Sequence, residues 1–131
     1  MMRLLQPPGW AKPRGYANGF AVRGGTTIYV AGQIGCNAQG IVEDRSFAGQ
    51  FRQVLKNTLA VLAEGGAKPE HVVRMTWYVT DRREYLGALN EVGAAWRELM
   101  GRHYPAMAVL QVGALVEDAA MVEIETTAVV P

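Results

Sequence analysis

The strongest constraint on the fold is an alternating segment at residues 72–80, which lies between two segments with helical spacing. Its odd positions from 73 to 79 are Val, Met, Trp and Val, and its even positions are Val72, Arg74, Thr76 and Tyr78. Period-two alternation of this kind predicts a β-strand with one apolar face. A strand between two helices predicts an α+β fold with both helices on one face of the sheet.

The first helix is predicted to begin after Asp44 or Ser46, either of which could serve as its N-cap. It should end at Gly65-Gly66, and Pro69 follows. This spacing places one side of the helix against a sheet. The apolar stripe consists of Phe47, Phe51, Leu55, Thr58, Leu59 and Leu62.

The second helix is predicted to run without a break from a capping box formed by Asp81 and Glu84 to a stop at Gly101. Its apolar side chains again recur at three- and four-residue intervals, so they should form one buried face. That face consists of Tyr85, Leu89, Val92, Trp96 and Leu99.

Four further strands and an extended N-terminal arm account for the rest of the chain. Residues 20–23 and 27–31 flank Gly24-Gly25, a pattern that predicts an antiparallel hairpin. Two more strands are expected at 106–115 and 119–129. The predicted order is β-β-α-β-α-β-β, to which a short N-terminal strand could be added, in a single domain spanning residues 1–131.

The sheet face away from the helices also carries apolar side chains. An open sheet with one uncovered apolar face is unfavourable for a monomer in water. Packing this face against copies of the same chain is the simplest way to bury it. The pattern therefore favours an oligomer, although periodicity does not set the number of subunits.

Composition and charge exclude several classes of partner. The net charge is +1 and no run of Lys or Arg is present, which argues against a nucleic-acid interface. The one cysteine, Cys36, cannot form an internal disulfide and fits a reducing compartment. No apolar run has the length of a signal peptide or a membrane span, so we expect a cytoplasmic protein that does not enter a membrane.

Metal and cofactor chemistry has no clear motif in this sequence. The two histidines, His71 and His103, and the scattered carboxylates lack metal-ligand spacing, so we predict no metal site. Gly24-Gly25 and Gly65-Gly66 are turn and cap glycines rather than a phosphate loop. Cys36 has no histidine near it in sequence and is expected to be a bystander thiol. We therefore predict no cofactor.

Four segments together resemble the RidA/YjgF family of small trimeric proteins. They are residues 15–19 (Gly-Tyr-Ala-Asn-Gly), 30–35 (Val-Ala-Gly-Gln-Ile-Gly), 74–81 (Arg-Met-Thr-Trp-Tyr-Val-Thr-Asp), and 104–106 (Tyr-Pro-Ala) with 122–125 (Val-Glu-Ile-Glu). Their order and spacing make the match fairly specific. The resemblance implies a fold like that of trimeric chorismate mutase, with a mixed sheet, three subunits around a central β-barrel, and three clefts between neighbouring subunits.

The resemblance also implies a site in those clefts. Family members that hydrolyse reactive imines and enamines have an arginine that grips the substrate carboxylate, an N-terminal tyrosine, a Gly-Gln turn and a glutamate on the last strand. The tyrosine matches Tyr16, the turn matches Gly32 and Gln33, and the glutamate matches Glu123, with Glu125 as the alternative. The sequence departs from the family at the arginine position, which is Met107.

Met107 can be interpreted in three ways. A thioether cannot form a bidentate ion pair, so the residue could be an apolar wall for a substrate without a carboxylate. It could instead fill space in a site that has lost its chemistry. In the third interpretation another cation replaces the arginine, and Arg74, on a strand, is a better candidate than Arg102.

The other candidate residues also have alternative roles. Glu123 and Glu125 are two apart in a strand, so they share one face, where one could activate water as a general base or both could simply be solvated. Tyr16 could hydrogen-bond a ligand or be an interface aromatic with a satisfied hydroxyl. Gly32 should allow close approach, either of a ligand or of another strand.

These expectations define two functions of different classes. The first is a cytoplasmic homotrimer that binds a small metabolite between subunits and hydrolyses an imine or enamine other than the usual 2-imino acids. The second is a non-enzymatic trimer that binds or senses a small ligand.

Overall fold

The computed structural model describes residues 2–131 and contains six strands and three α-helices. The strands are β1 (Met2–Leu4), β2 (Phe20–Val22), β3 (Thr26–Ile34), β4 (Val72–Val79), β5 (Ala106–Gln111) and β6 (Val122–Val130). The helices are α1 (Phe47–Glu64), α2 (Arg82–Gly87) and α3 (Leu89–Met100), and a 3₁₀ turn spans Pro69–His71. The α+β class predicted from the sequence is confirmed.

A four-stranded mixed sheet in the order β3-β6-β4-β5 forms the centre of the molecule. β6 pairs antiparallel with both β3 and β4, whereas β5 pairs parallel with β4. The parallel pair is connected by α2 and α3, since parallel neighbours need a crossover connection. Both main helices pack on one face of this sheet, as predicted.

The hairpin predicted around Gly24-Gly25 is wrong, although both of its strands exist. β2 pairs with β1 in a separate two-stranded sheet, and β3 pairs with β6 instead. Gly24 and Gly25 do have positive φ angles of 70° and 81°, so the turn is tight. A Cβ on Gly25 would lie 2.5 Å from the carbonyl oxygen of Val130, so the turn is fitted to β6. Turn residues give the direction of the chain but do not specify the strand that it pairs with.

The N-cap and the apolar stripe predicted for helix α1 are confirmed. Ser46 is the N-cap, and its Oγ accepts a hydrogen bond from the Gly49 amide at 3.0 Å. A buried polar side chain, Gln50, was not expected on this helix. Its amide group donates to the carbonyl of Ala119 at 2.9 Å and accepts from the amide of Met121 at 2.7 Å, so it ties the start of β6 to the helix.

The second predicted helix is two helices, because the backbone leaves helical geometry at Ala88. Asp81 caps α2 by accepting from the Arg83 amide at 2.9 Å. The break changes the buried face, so that Leu89 is 47% exposed rather than buried. The buried residues of α3 are Val92, Ala95, Trp96 and Met100.

The sheet face predicted for Val72 is wrong, because β4 contains a β-bulge. The pairing of β4 with β6 shifts between Val72 and Arg74. One extra residue reverses the alternation, and Val72 is therefore fully buried in the core together with Met75. The last two strands are also placed differently from the prediction, since β5 ends at Gln111 and β6 begins at Val122.

The sheet face away from the helices carries polar and aromatic side chains more than aliphatic ones. Tyr29 is 79% exposed on this face, and Arg74, Thr76 and Glu125 line a groove beside it. We call this surface the open face. In residues 2–131, no helix is both long enough and apolar enough to cross a membrane.

Candidate functional site

The N-terminal arm is fastened to the edge of the sheet at Ala17. The Ala17 amide donates to the carbonyl of Pro105 at 2.9 Å, and Ala17 bridges to Ala106 at the start of β5. Ala17 is buried, whereas its neighbour Tyr16 remains 42% exposed. This contact places Tyr16 close to Met107, which follows Ala106 in β5.

Tyr16 and Met107 both line a cavity of about 510 Å³ between the arm, the sheet edge and helix α3. We call this cavity the edge pocket. Its strand wall consists of Met107 and Val109, and its helix wall includes Gly93 and Arg97. The volume is in the range of small-molecule sites, and most lining side chains are apolar or aromatic, as is usual for such sites.

Stacked aromatic rings form the floor of the edge pocket. Trp96 stacks on Tyr104 with ring centroids 6.0 Å apart and planes 12° apart, and Trp77 packs against Trp96 at 5.9 Å. Tyr85 meets Trp77 edge-on at 6.2 Å. Interlocked rings of this kind hold one another in place, so the floor is a packed part of the folded chain.

The polar groups of the floor fall into two sets. The indole N–H of Trp96 donates to the His103 carbonyl at 3.1 Å, and that of Trp77 points to the Met75 sulfur at 3.5 Å. The hydroxyls of Tyr85 and Tyr104, in contrast, have no hydrogen-bond partner within residues 2–131. Burial raises the pKa of Tyr85, and a protonated phenol is a hydrogen-bond donor.

Met107 faces the helices rather than the open face. It pairs in register with Met75, which is fully buried in the core, and it packs against that core itself. The thioether thus forms part of an apolar wall at the position where the family resemblance would put a guanidinium. No positive charge is available at this point of the strand.

Two arginines that the sequence interpretation overlooked do line the edge pocket. They are Arg14, in the arm, and Arg97, in α3. A signal for Arg97 was available, because Gly93 lies one helical turn before it and glycine is unfavourable inside a helix. No such local signal marks Arg14. Neither of the cations considered from the sequence, Arg74 and Arg102, lies in this pocket.

Glu123 lies on the open face and is in contact with Gly32. A Cβ added to Gly32 would overlap with the Glu123 carboxylate and would lie 2.9 Å from its Cδ. The glycine therefore makes room for a side chain of the neighbouring strand β6. The register also fits, because Ile34, two residues after Gly32, pairs with Glu123.

Gln33 supports the backbone beside this contact. The pairing of β3 with β6 is irregular between Val30 and Gln33, and the Gln33 side-chain amide donates to the Ala31 carbonyl at 3.1 Å. Gln33 pairs with Ile124 rather than with Glu123. Its side chain stabilises the bulge in which Gly32 lies.

Glu125 lies on the same face as Glu123 but has a different partner. It accepts a hydrogen bond from the Tyr78 hydroxyl at 2.7 Å. This hydrogen bond, with burial and the charges of Glu125 and Glu123, raises the pKa of Tyr78. Glu125 also lines the groove of about 640 Å³ that contains Arg74 and Tyr29. Because its carboxylate is engaged by Tyr78, Glu125 is less free than Glu123 to hold water.

The candidate residues therefore form two groups on opposite faces of the sheet. Tyr16 and Met107 belong to the edge pocket, on the helix side. Glu123 and Gly32 meet on the open face, and Arg74 lies in the neighbouring groove. Within one chain the sheet separates Met107 from Glu123. Across residues 2–131, no cluster of three or more His, Cys, Asp or Glu side chains could hold a metal ion.

Comparison with known proteins identifies the family. The family model described as Endoribonuclease L-PSP matches residues 11–130. A RutC family protein of Aquifex aeolicus is 35% identical over 92 residues, which covers 70% of this chain and 71% of that protein. These matches, with the fold, show that the chain belongs to the RidA/YjgF family.

Two further relatives are similar over almost the full length of this chain. A 2-iminobutanoate/2-iminopropanoate deaminase of Dermatophagoides farinae is 30% identical, covering 98% of this chain and 96% of that protein. The crystal structure of YyfB from Yersinia pestis, a Rid family protein of unknown function, superposes with a TM-score of 0.87 at 28% identity, with 98% of each chain covered. The single-chain part of the predicted fold, a mixed sheet with the two main helices on one face, is thus confirmed.

Proposed function

We propose that the protein is a homotrimer that binds a small metabolite between subunits and hydrolyses an imine or enamine other than the usual 2-imino acids. The observation that carries this proposal is the separation of the two residue groups. Met107 and Glu123 lie on opposite faces of one sheet. Only association of chains can bring the edge pocket of one subunit close to the glutamate of its neighbour.

Family membership supports the class of reaction. The mite relative is named as a deaminase of 2-iminobutanoate and 2-iminopropanoate. Glu123 is the better of the two glutamates for holding water, because the Glu125 carboxylate already accepts the Tyr78 hydroxyl. A carboxylate that holds water beside an electrophilic carbon can act as a general base.

In the proposed reaction the Glu123 carboxylate accepts a proton from water while the water oxygen bonds to the imine carbon. The imine nitrogen takes a proton from solvent, which gives a carbinolamine. The protonated Glu123 then donates its proton to the amine nitrogen, the carbon–nitrogen bond breaks and ammonia leaves. The remaining hydroxyl returns a proton to solvent, so the products are a carbonyl compound and ammonia.

Met107 argues for a substrate without an α-carboxylate next to the reacting carbon. A guanidinium at this position would form two charge-assisted hydrogen bonds with such a group. A thioether offers only dispersion contacts and a weak acceptor. The apolar part of the substrate is therefore placed against Met107, with Tyr16 at the mouth of the pocket.

The test is ammonia release from a panel of enzymatically generated imines, in matched pairs with and without the α-carboxylate. We expect turnover of the imines that lack the α-carboxylate. Turnover of 2-iminopropanoate as fast as that by an arginine-bearing relative would contradict the altered specificity. Sedimentation equilibrium measured alongside should give a trimer, and a monomer at micromolar concentration would remove the shared cleft.

A second function, non-enzymatic binding of a small ligand, is favoured by the same residue, Met107. The edge pocket is formed and lined by aromatic rings whether or not chemistry follows. This alternative predicts a ligand that binds without ammonia release. It also predicts that Glu123→Gln leaves the affinity for that ligand unchanged.

A further inference from the structure

The edge pocket carries positive charge without any acidic side chain. Arg14 and Arg97 line it, and no Asp or Glu does. The remaining lining is glycine, apolar or aromatic, and both arginines are exposed side chains. Two like charges that face one cavity attract an anion to it jointly.

The Arg97 guanidinium has no polar partner among the described residues. In the part of the chain that the structure describes, it forms no ion pair and no side-chain hydrogen bond. The next residue, Glu98, pairs with Arg52 at 2.5 Å instead. A guanidinium has five N–H donors in a planar fork that matches a carboxylate or a phosphate. All five donors of Arg97 remain available to a ligand.

Gly93 leaves free the space beside which the Arg97 guanidinium lies. The guanidinium lies over Gly93, and a Cβ there would be only 3.2 Å from Nη1 and 3.9 Å from Cζ. Gly93 lies inside α3, where glycine is disfavoured relative to alanine. The glycine therefore lies where the Arg97 guanidinium needs space. Gly93 and Arg97 both line the pocket.

From these contacts we propose that Arg97 is the anion-binding residue of the edge pocket. The ligand class is an organic anion, carboxylate or phosphate, whose flat apolar body lies among Met107, Tyr104 and Tyr16. Arg97 lies on the helix wall and Met107 on the strand wall. In this proposal the anionic group meets the helix wall, and the apolar body of the ligand meets Met107 on the strand wall. Arg14, on the arm, is the second cation that this group meets.

This inference deepens the proposed function and rests on it only for the identity of the reacting group. It specifies an imine whose anionic group is distal to the C=N carbon rather than attached to it. Binding itself can be measured without turnover. The two proposals can therefore fail independently.

The experiment measures quenching of tryptophan fluorescence, because Trp77 and Trp96 line the pocket. The probes are phenylacetate, 3-phenylpropanoate, hexanoate and phenyl phosphate, each against a neutral partner (the amides, or phenol). We expect at least one anion to bind the wild-type trimer tenfold or more tightly than its partner. No preference for any anion overturns the proposal. Comparison of phenyl phosphate with the carboxylates separates the two sources of charge.

Three variants connect that preference to Arg97. Arg97→Gln should remove the tenfold preference and leave the neutral partners unaffected, while Arg97→Lys should retain part of it. Arg83→Gln is the matched control, since Arg83 is an exposed helical arginine outside the pocket. An anion preference that survives Arg97→Gln assigns the charge to another residue and contradicts the proposal.

Gly93→Ala tests the same contact without changing any charge. The added Cβ should displace the guanidinium and weaken anion binding about threefold or more, while the melting temperature rises because alanine favours the helix. Equal loss for anions and neutral partners would mean that the Cβ only narrows the pocket. Anion binding that requires Arg97, without ammonia release from any imine, would leave this proposal standing and reject the hydrolase.

Discussion

The two faces of the sheet differ in how far one chain completes them. On the helix side, the edge pocket has an aromatic floor, an apolar strand wall and a cap supplied by the arm. On the open face, Glu123 rests against Gly32 and Tyr29 projects into solvent. The cavity is thus complete within one folded chain, whereas the proposed chemistry also depends on what covers the open face.

This difference follows from the kinds of contact on each face. The pocket is held by ring packing and burial, which form with the hydrophobic core. The open face is held by polar contacts between exposed side chains, such as that of Tyr78 with Glu125. Exposed polar contacts add little to stability. The open face can therefore carry charged groups at positions suited to function rather than to folding.

The largest expected effect comes from removing the Glu123 carboxylate. Glu123→Gln should lower ammonia release by about 10²–10⁴-fold, the usual contribution of a general base. Binding of a probe in the edge pocket should stay within twofold of wild type. Rates from steady-state ammonia assays on the best imine provide the measurement, with Glu125→Gln as the control. A larger loss for Glu125→Gln would assign the base to the other glutamate.

The same contact can be broken from the other strand. Gly32→Ala keeps both charges but places a Cβ where the Glu123 carboxylate lies. The carboxylate must then move, and misplacing a catalytic group by about 1 Å can cost roughly 10²-fold. We expect the rate to fall with only a small change in melting temperature, because the contact is partly exposed. An unchanged rate would show that the close contact has no part in catalysis.

Local sequence signals were sufficient to predict some features of the two faces. The period-two pattern of β6 correctly placed Glu123 and Glu125 on one face, because alternation is a property of the strand itself. The cap and stripe of α1 were likewise predictable from Ser46 and its apolar spacing. The β2–β3 hairpin was not, because a glycine turn does not specify which strand becomes the partner. The break at Ala88 was also missed, although Gly87, which ends α2, is a weak local marker.

The edge pocket could not be predicted from local sequence signals. It combines an arm residue, Tyr16, with a residue of β5, Met107, and one of α3, Arg97. These residues meet only through the bridge at Ala17 and the packing of α3 on the sheet. The family resemblance supplied Tyr16 and Met107 as candidate residues. It could not supply Arg97, which is not part of any motif used in the resemblance.

An intermediate effect is expected from Met107→Arg, which adds a cation to the strand wall. A charge-assisted pair is worth about 1.5–3 kcal/mol, so turnover of 2-iminopropanoate should rise roughly 10–100-fold relative to the imine without a carboxylate. The ratio of kcat/KM for the two imines is the measurement. Met107→Leu, which keeps an apolar wall, serves as control and should not change the ratio.

This variant also tests the separation of the faces. If Met107→Arg abolishes turnover of all imines while the protein remains folded, the strand wall does not contact substrate. The two groups of residues would then belong to unrelated sites. A stability measurement in urea distinguishes this outcome from simple unfolding, since the new guanidinium enters a half-buried position.

The smallest expected effect concerns the open face at alkaline pH. The hydrogen bond to Glu125 raises the pKa of Tyr78 above its ordinary value of 10.0. Because the folded state favours the protonated phenol, this contribution to stability is present below about pH 10. It is lost as the pH rises through the higher pKa of the folded state. As the pH rises from neutral through the raised pKa of Tyr78, the free energy of unfolding should fall more steeply for wild type than for Glu125→Gln. In that variant Tyr78 titrates nearer its ordinary pKa. The measurement is urea unfolding at several pH values, with tyrosinate absorbance recorded in parallel. Identical profiles for the two proteins would mean that the Tyr78–Glu125 pair is not formed in solution.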